Sequence, residues 1–163
     1  PVLSFLIVFL FQGAFIYWAS YSSISGSMIV NDWNLRYLIA GLVCSCLIGA
    51  SYPLTQIYQH EEDARRGDRT LSFILGIKGS FLFSALLFLS GMILLFAYWH
   101  ASNNLNYFWI FLVFAAGVGY AFITWYLKVR KDQSEADFKN MTKMTVTSSI
   151  LMLLYFIFLW IMK

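Results

Sequence analysis

The sequence predicts an all-α protein, a polytopic bundle of transmembrane helices with five spans in view. Three observations predict it. Of 163 residues, 60% are hydrophobic and only 12% charged, with a mean hydropathy of +0.70. That is more apolar surface than a soluble domain of this size can hide. Five runs reach the roughly 20 mostly apolar residues that cross a bilayer core. Finally, Lys and Arg alternate between loops, as successive crossings require. The spans must be helical, because lipid offers no partner to an open backbone N–H or C=O.

The first span covers about residues 1–20. The chain enters it directly from Pro1, with no basic lead and no cleavage-site pattern, so the run is not read as a signal peptide. We read this opening as a fragment that lacks its N-terminal part. Gln12 is a polar amide in the middle of this span and is expected to face the interior. It either lines a cavity or bonds to another helix. The stretch Ser22–Ser27, with Gly26, reads as a loop.

The second span covers about 37–58. Cys44 and Cys46, two apart on one helix, point in different directions and read as small packing residues. Pro53 is expected to kink the helix near its end. Three further spans cover about 79–99, 107–127 and 144–162. Gly117 and Gly119, beside Ala115 and Ala116, would permit close helix approach. All five form one helical domain over 1–163 in this reading.

Loop charge sets the orientation. Loop 59–78 carries four Lys and Arg and loop 128–143 carries five, against one in 21–36 and none in 100–106. The two basic loops are therefore expected on the cytoplasmic side. Trp18, Trp33, Trp99 and Trp109 fall near expected span ends, where amphipathic rings favour the interface. The net charge of +3 follows from this loop bias. It gives no sign of nucleic-acid binding, since the basic residues are interleaved with Asp and Glu.

The stretch "QIYQHEEDARRGDRT" (56–70) breaks the apolar pattern, with seven charged residues and a histidine between His60 and Arg69. On a helix that continues past the membrane, Gln56, Gln59, His60, Asp63 and Gly67 recur every three or four residues and share a face. Glu62 lies at its edge. Gly67 is expected to end the helix. Acidic and basic groups together at a membrane mouth suit a metal-bound diphosphate on a lipid tail: Mg²⁺ takes oxygen ligands and phosphate, and Arg clamps phosphate charge. A solvated loop with salt bridges is the plainer alternative. His60 is a candidate base or simply a hydrated interfacial imidazole. Loop 128–143, with Asp132 and Glu135, reads as a soluble connector or a cover for the mouth.

The pattern Gln59-x-x-x-Asp63-x-x-x-Gly67-Asp68-Arg69-Thr70-Leu71, followed by Leu75-Gly76, resembles the second aspartate-rich motif of the UbiA-type polyprenyl transferases. The resemblance implies nine transmembrane helices, of which this chain holds five to nine. It also implies Mg²⁺-dependent transfer of an isoprenyl group from a polyprenyl diphosphate to a hydrophobic, often aromatic, acceptor within the bilayer. Carried over residue by residue, it makes Asp63 a metal ligand, with Gln59 and Glu62 as weaker partners. Arg66 and Arg69 become candidates for the diphosphate. Tyr52 and Thr55, one to two turns earlier, would join Gln12 in lining the cavity. Two departures stand out. Gln59 occupies the first Asp position, where an amide oxygen can ligate but brings no charge. The first aspartate-rich motif is absent, and Asn31-Asp32 is not a substitute. A non-catalytic relative and a transporter fragment are the alternatives. Transport is disfavoured by the scarcity of charge deep in the spans.

Overall fold

Apolar runs of this length wind into helix because helix alone pairs every backbone group within the run. The computed structural model describes residues 1–26 and 34–162. The chain is all-α, with five helices long and apolar enough to span a membrane and no strand among the described residues. Asn31, Asp32, Trp33 and Lys163 lie outside the described residues. The chain divides into two compact units, Pro1–Asn103 and Asn104–Lys163.

In the first unit, α1 (Val2–Ser25) and α2 (Leu35–Ser51) are followed by a 3₁₀ segment, Leu54–Gln59, a short α3 (His60–Arg66) and a long α4 (Leu71–Ala101). Helix α1 runs past the expected end near residue 20, through Ser22–Ser25, and is capped by Gly26. Its serines remain helical because a hydroxyl can bond back along the helix, as Ser23 Oγ does to the Ala19 carbonyl at 2.8 Å. Within α1, Val8–Phe15 winds as a wide π-helix.

Helix α2 is the centre of this unit and packs on both α1 and α4. Without a hydrophobic drive between helices in lipid, close backbone approach through small residues does the work. A Cβ on Gly13 would overlap the Ser45 backbone, and one on Gly91 would sit 3.1 Å from Cys46 Cβ. Both cysteines are free thiols. Trp18 packs over Gly41 rather than at a helix end. Its indole N–H donates to the Tyr37 carbonyl at 3.2 Å, and Tyr37 Oη donates back to the Trp18 carbonyl at 3.1 Å.

In the second unit, α5 (Asn106–Lys131) and α6 (Phe138–Ile161) form a helical hairpin. Tyr155 packs its ring on Phe111, with centroids 5.3 Å apart. Gly117 takes the Leu151 side chain, whereas Gly119 faces open space, so only the first of the two expected glycines serves this contact. Asp137 caps α6 by accepting from Asn140 N at 2.7 Å.

The interior includes hydroxyl residues and the surface is apolar, unlike that of a soluble protein. Ser45, Ser72 and Ser80 are fully buried, while Val113 and Trp160 are 73% and 79% exposed. Lipid as solvent accounts for both halves: it wets Leu and Trp, and it leaves hydroxyls to find partners inside.

Candidate functional site

The charged stretch is built by three successive breaks in regular helix. The first is Pro53, which follows α2, cannot donate to the helix ladder and is itself fully buried. The chain tightens there into 3₁₀ winding, and α-helix resumes only at His60. Helix α3 places Glu61, Glu62 and Asp63 in its first turn and Arg65 and Arg66 in its last, the order that complements the helix dipole. The second break is Gly67, left-handed at φ 75°. Asp68 N then donates back to the Asp63 carbonyl at 2.9 Å, closing the helix end.

Asp63 is the buried carboxylate of this site, at 8% exposure. Its Oδ2 accepts from Thr70 Oγ1 at 2.8 Å. The same Thr70 oxygen accepts from Phe73 N at 3.2 Å and so caps α4. Thr70 thus ties the carboxylate to the start of the next helix. Asp63 Oδ1 accepts no hydrogen bond among the described residues.

His60, one turn before Asp63, is held from the other side. Its Nε2 lies 2.8 Å from Ser72 Oγ, and its ring meets Phe73 edge-on at 5.8 Å. Ser72 N donates to Gln56 Oε1 at 3.3 Å. Ser72 Oγ lies 2.9 Å from Ser80 Oγ, and Ser80 Oγ donates to the Gly76 carbonyl at 2.9 Å. Between the two serines comes the third break. Gly76 has φ 67° and ψ 173°, shortly after the start of α4, a conformation essentially confined to glycine.

The remaining expected residues are placed as follows. Gln59 donates through Nε2 to Tyr58 Oη at 2.8 Å, which leaves its carbonyl oxygen unbonded among the described residues. Glu62 pairs with Arg66 on the exposed surface, a pair worth little to stability. Arg69 is exposed and makes no ion pair among the described residues. Tyr52 packs on Phe5 of α1 with centroids 5.9 Å apart, and Thr55 Oγ1 donates to the Tyr52 carbonyl at 2.8 Å. Gln12 lies on an exposed part of α1, beside Gly13 and Ala14, which take the contact with α2. The geometry therefore joins His60 and Asp63 to Thr70, Ser72 and Ser80, three residues that spacing alone did not single out. Thr70 stands in the motif quoted above, whereas the only sequence signal of Ser72 and Ser80 is small hydroxyl residues on either side of a glycine in a long apolar helix.

In the second unit, the turn before α6 fastens onto its own hairpin. Trp125 Nε1 donates to the Glu135 carbonyl at 3.0 Å, and Lys128 Nζ lies 3.8 Å from Glu135 Oε2. Asp132 accepts from Ser134 N at 2.9 Å, and this bond holds its carboxyl below the usual carboxylate range. A small cleft of about 50 Å³ beside this turn is lined by Thr124, Trp125, Lys128, Asn140 and Lys143.

Comparison with known families gives one match: the model described as the UbiA prenyltransferase family covers residues 1–149. The chain belongs to the UbiA prenyltransferase family. Neither the curated proteins nor the solved structures gave a match. Its family is one of membrane prenyltransferases, which agrees with the five apolar helices. Members of the family generally use Mg²⁺ through aspartate-rich motifs. The residues present in this UbiA family member suit such a role in part. Among the described residues no three His, Cys, Asp or Glu side chains converge as a metal cage. Mg²⁺ on a phosphate substrate needs only one or two protein carboxylates, and Asp63, buried and with Oδ1 uncommitted, is chemically able to be one.

Proposed function

We propose that this UbiA family member transfers an isoprenyl group from a polyprenyl diphosphate to a hydrophobic, aromatic-type acceptor, with Asp63 as its metal ligand. The observation that carries the reading is the Asp63 carboxylate itself. A buried acid tied down through one oxygen and open at the other is pre-organised to meet a cation, because it needs no reorganisation when the charge arrives.

Asp63 Oδ1, with the side-chain oxygen of Gln59 four residues earlier as a weaker partner, would hold Mg²⁺. When bound, the ion supplies neutralising charge for the departing diphosphate. Thr70 keeps the carboxylate from turning away. Arg66 and Arg69, at the exposed end of the stretch, meet the rest of the diphosphate charge. Arg66 must leave Glu62 to do so, which is an inexpensive exchange at an exposed pair. The C–O bond of the donor breaks, an allylic cation forms, and a ring carbon of the acceptor takes it and then loses a proton. The isoprenyl tail lies among the helices, with Tyr52 and Thr55 assigned to the cavity wall. The bilayer holds the protein and both substrates, and loops 59–78 and 128–143 face the cytoplasm in this reading. The whole chain, 1–163, acts as part of one transmembrane domain in this reading.

The test is Asp63→Ala in the full protein in lipid nanodiscs, assayed for Mg²⁺-dependent transfer from a labelled polyprenyl diphosphate. Transfer should fall on the order of 10²–10³-fold. Full transfer by that variant would overturn the site assignment. Gln59, a neutral residue at an acidic position, favours one second reading: a family member that binds the diphosphate without turning it over. Binding with no transfer by the parent protein would select it.

A further inference from the structure

The turn between α5 and α6 sorts its charges. Its three carboxylates are spent on building it. Asp132 Oδ1 accepts from Ser134 N at 2.9 Å, Asp137 Oδ1 from Asn140 N at 2.7 Å, and Glu135 Oε2 from Asn140 Nδ2 at 2.9 Å. The same stretch carries five cations, Lys128, Arg130, Lys131, Lys139 and Lys143, all of them exposed. Among the described residues one ion pair joins the two sets, Lys128 with Glu135 at 3.8 Å, the side chains 56% and 40% exposed. A pair that long and that wet withholds little of the lysine's charge. Lys143 makes no ion pair among the described residues.

Lys128 of α5 and Lys143 of α6 line the cleft of about 50 Å³ from its two helices. One water needs roughly 10–15 Å³ of such space, so the cleft admits a group of several atoms. Its neutral donors are already engaged. The Thr124 hydroxyl bonds to the Tyr120 carbonyl, the Trp125 indole to the Glu135 carbonyl, and the Asn140 amide to Glu135 and Asp137. The two ammonium groups are the donors left for an occupant, and they select negative charge. The cleft also lies where the apolar part of the hairpin meets its basic end. Ile123 and Leu127 of α5 and Val146 and Ile150 of α6 are each about half exposed, a surface for lipid. An occupant that suits both has an anionic head on an apolar body. Basic pockets between transmembrane helices at the membrane surface take the head groups of anionic lipids.

We propose that Lys128 and Lys143 hold the phosphate of an anionic glycerophospholipid in this cleft, in the leaflet on the side of the basic loops. The site lies wholly within the second unit and does not rest on Asp63 or on the prenyl-transfer reading. A lipid whose head group carries its own cation beside the phosphate is disfavoured, because that cation meets the lysines. Each lysine should contribute roughly fivefold in affinity. The bound lipid bridges the ends of α5 and α6 and so raises the thermal midpoint.

The experiment takes the full protein in a neutral detergent and titrates it separately with phosphatidylglycerol, phosphatidylcholine and inorganic phosphate. Binding is read by native mass spectrometry and by thermal midpoint. Phosphatidylglycerol should bind more tightly than phosphatidylcholine and raise the midpoint further. The double variant Lys128→Gln/Lys143→Gln should weaken phosphatidylglycerol binding by roughly 30-fold, with little change for phosphatidylcholine. Arg130→Gln/Lys131→Gln removes the same charge from exposed positions that do not line the cleft, and should keep the parent's preference. Equal binding of the two lipids by the parent protein overturns the proposal without any variant having to fold. Equal weakening by the two double variants also overturns it, since diffuse surface charge would then suffice. A stabilisation by inorganic phosphate that the Lys128/Lys143 variant loses would assign the cleft to a free anion and overturn the lipid. None of these readings requires turnover, so a failed transfer assay bears on the prenyl-transfer reading alone.

Discussion

Replacing Gly76 by alanine isolates the cost of one backbone conformation. Most glycine-to-alanine changes mix steric clash with backbone strain. Here nothing lies within 4 Å of the added Cβ, so clash contributes nothing. What remains is the conformation, φ 67° and ψ 173°. A side chain held in that region costs on the order of 1–3 kcal/mol. For a chain of this length that corresponds to about 2–4 °C in thermal midpoint per kcal/mol. Gly119→Ala is the matched control, since its Cβ also meets open space but on a regular helix, where alanine is favoured by roughly 0.5–1 kcal/mol. The assay is the thermal midpoint of each variant by intrinsic fluorescence in one detergent. Gly76→Ala should fall and Gly119→Ala should hold or rise. Transfer activity should fall further in Gly76→Ala than the midpoint alone explains, because relaxing the break moves Ser72 away from Ser80. A midpoint for Gly76→Ala equal to or above the parent's would refute the break at Gly76 as a built feature.

Thr70→Val should remove both the donor to Asp63 and the cap of α4, costing about 2–3 kcal/mol together, and it should raise the Mg²⁺ concentration needed for half-maximal transfer. Thr70→Ser should restore both, and a titration of the three proteins checks it. Gly13→Ala should destabilise the first unit by more than about 2 kcal/mol, because its Cβ would overlap the backbone of Ser45, and a denaturant titration read against Gly119→Ala measures the difference. Asp63→Ala, by contrast, should lower the midpoint no more than Thr70→Val does while losing far more transfer, and loss of transfer only in step with the midpoint would point to a structural carboxylate.

The five helices were legible because lipid removes the alternatives. Each apolar run is long, and the backbone within it has nowhere else to bond. The end of α3 was legible too, since Gly67 followed a run of charged helix formers and is indeed left-handed. Helix lengths were less so. The apolar runs mark what lipid covers, whereas α4 and α5 continue into polar flanks such as Lys78 and Lys128–Lys131. The shared face expected for Gln56, Gln59, His60 and Asp63 assumed steady α-helix. The 3₁₀ winding after Pro53 instead turns Gln56 and His60 together onto Ser72, while Gln59 bonds to Tyr58. The serine chain was hidden for a related reason. Ser72 and Ser80 meet only because Gly76 breaks the helix between them, and a lone glycine in an apolar run does not announce a break. Gln12 was expected to face inward by polarity alone, but Gly13 and Ala14 hold the position against α2 that the small side chains make possible.

The wide winding of α1 between Val8 and Phe15 has a consequence for insertions and deletions. Before it, Phe5 meets Tyr52 and Phe83 at 5.9 and 5.2 Å. After it, Tyr17 and Trp18 meet Tyr37 at 5.9 and 6.1 Å. Regular α-helix turns about 100° per residue. Deleting any single codon in the wide stretch therefore rotates one set of rings by roughly that angle against the other, or forces the remaining residues to wind differently to prevent it. Both ring clusters cannot keep their partners in the first case. The number of residues in this segment is thus as constrained as their identity, and a relative that lacks one of them must have repacked one end of α1.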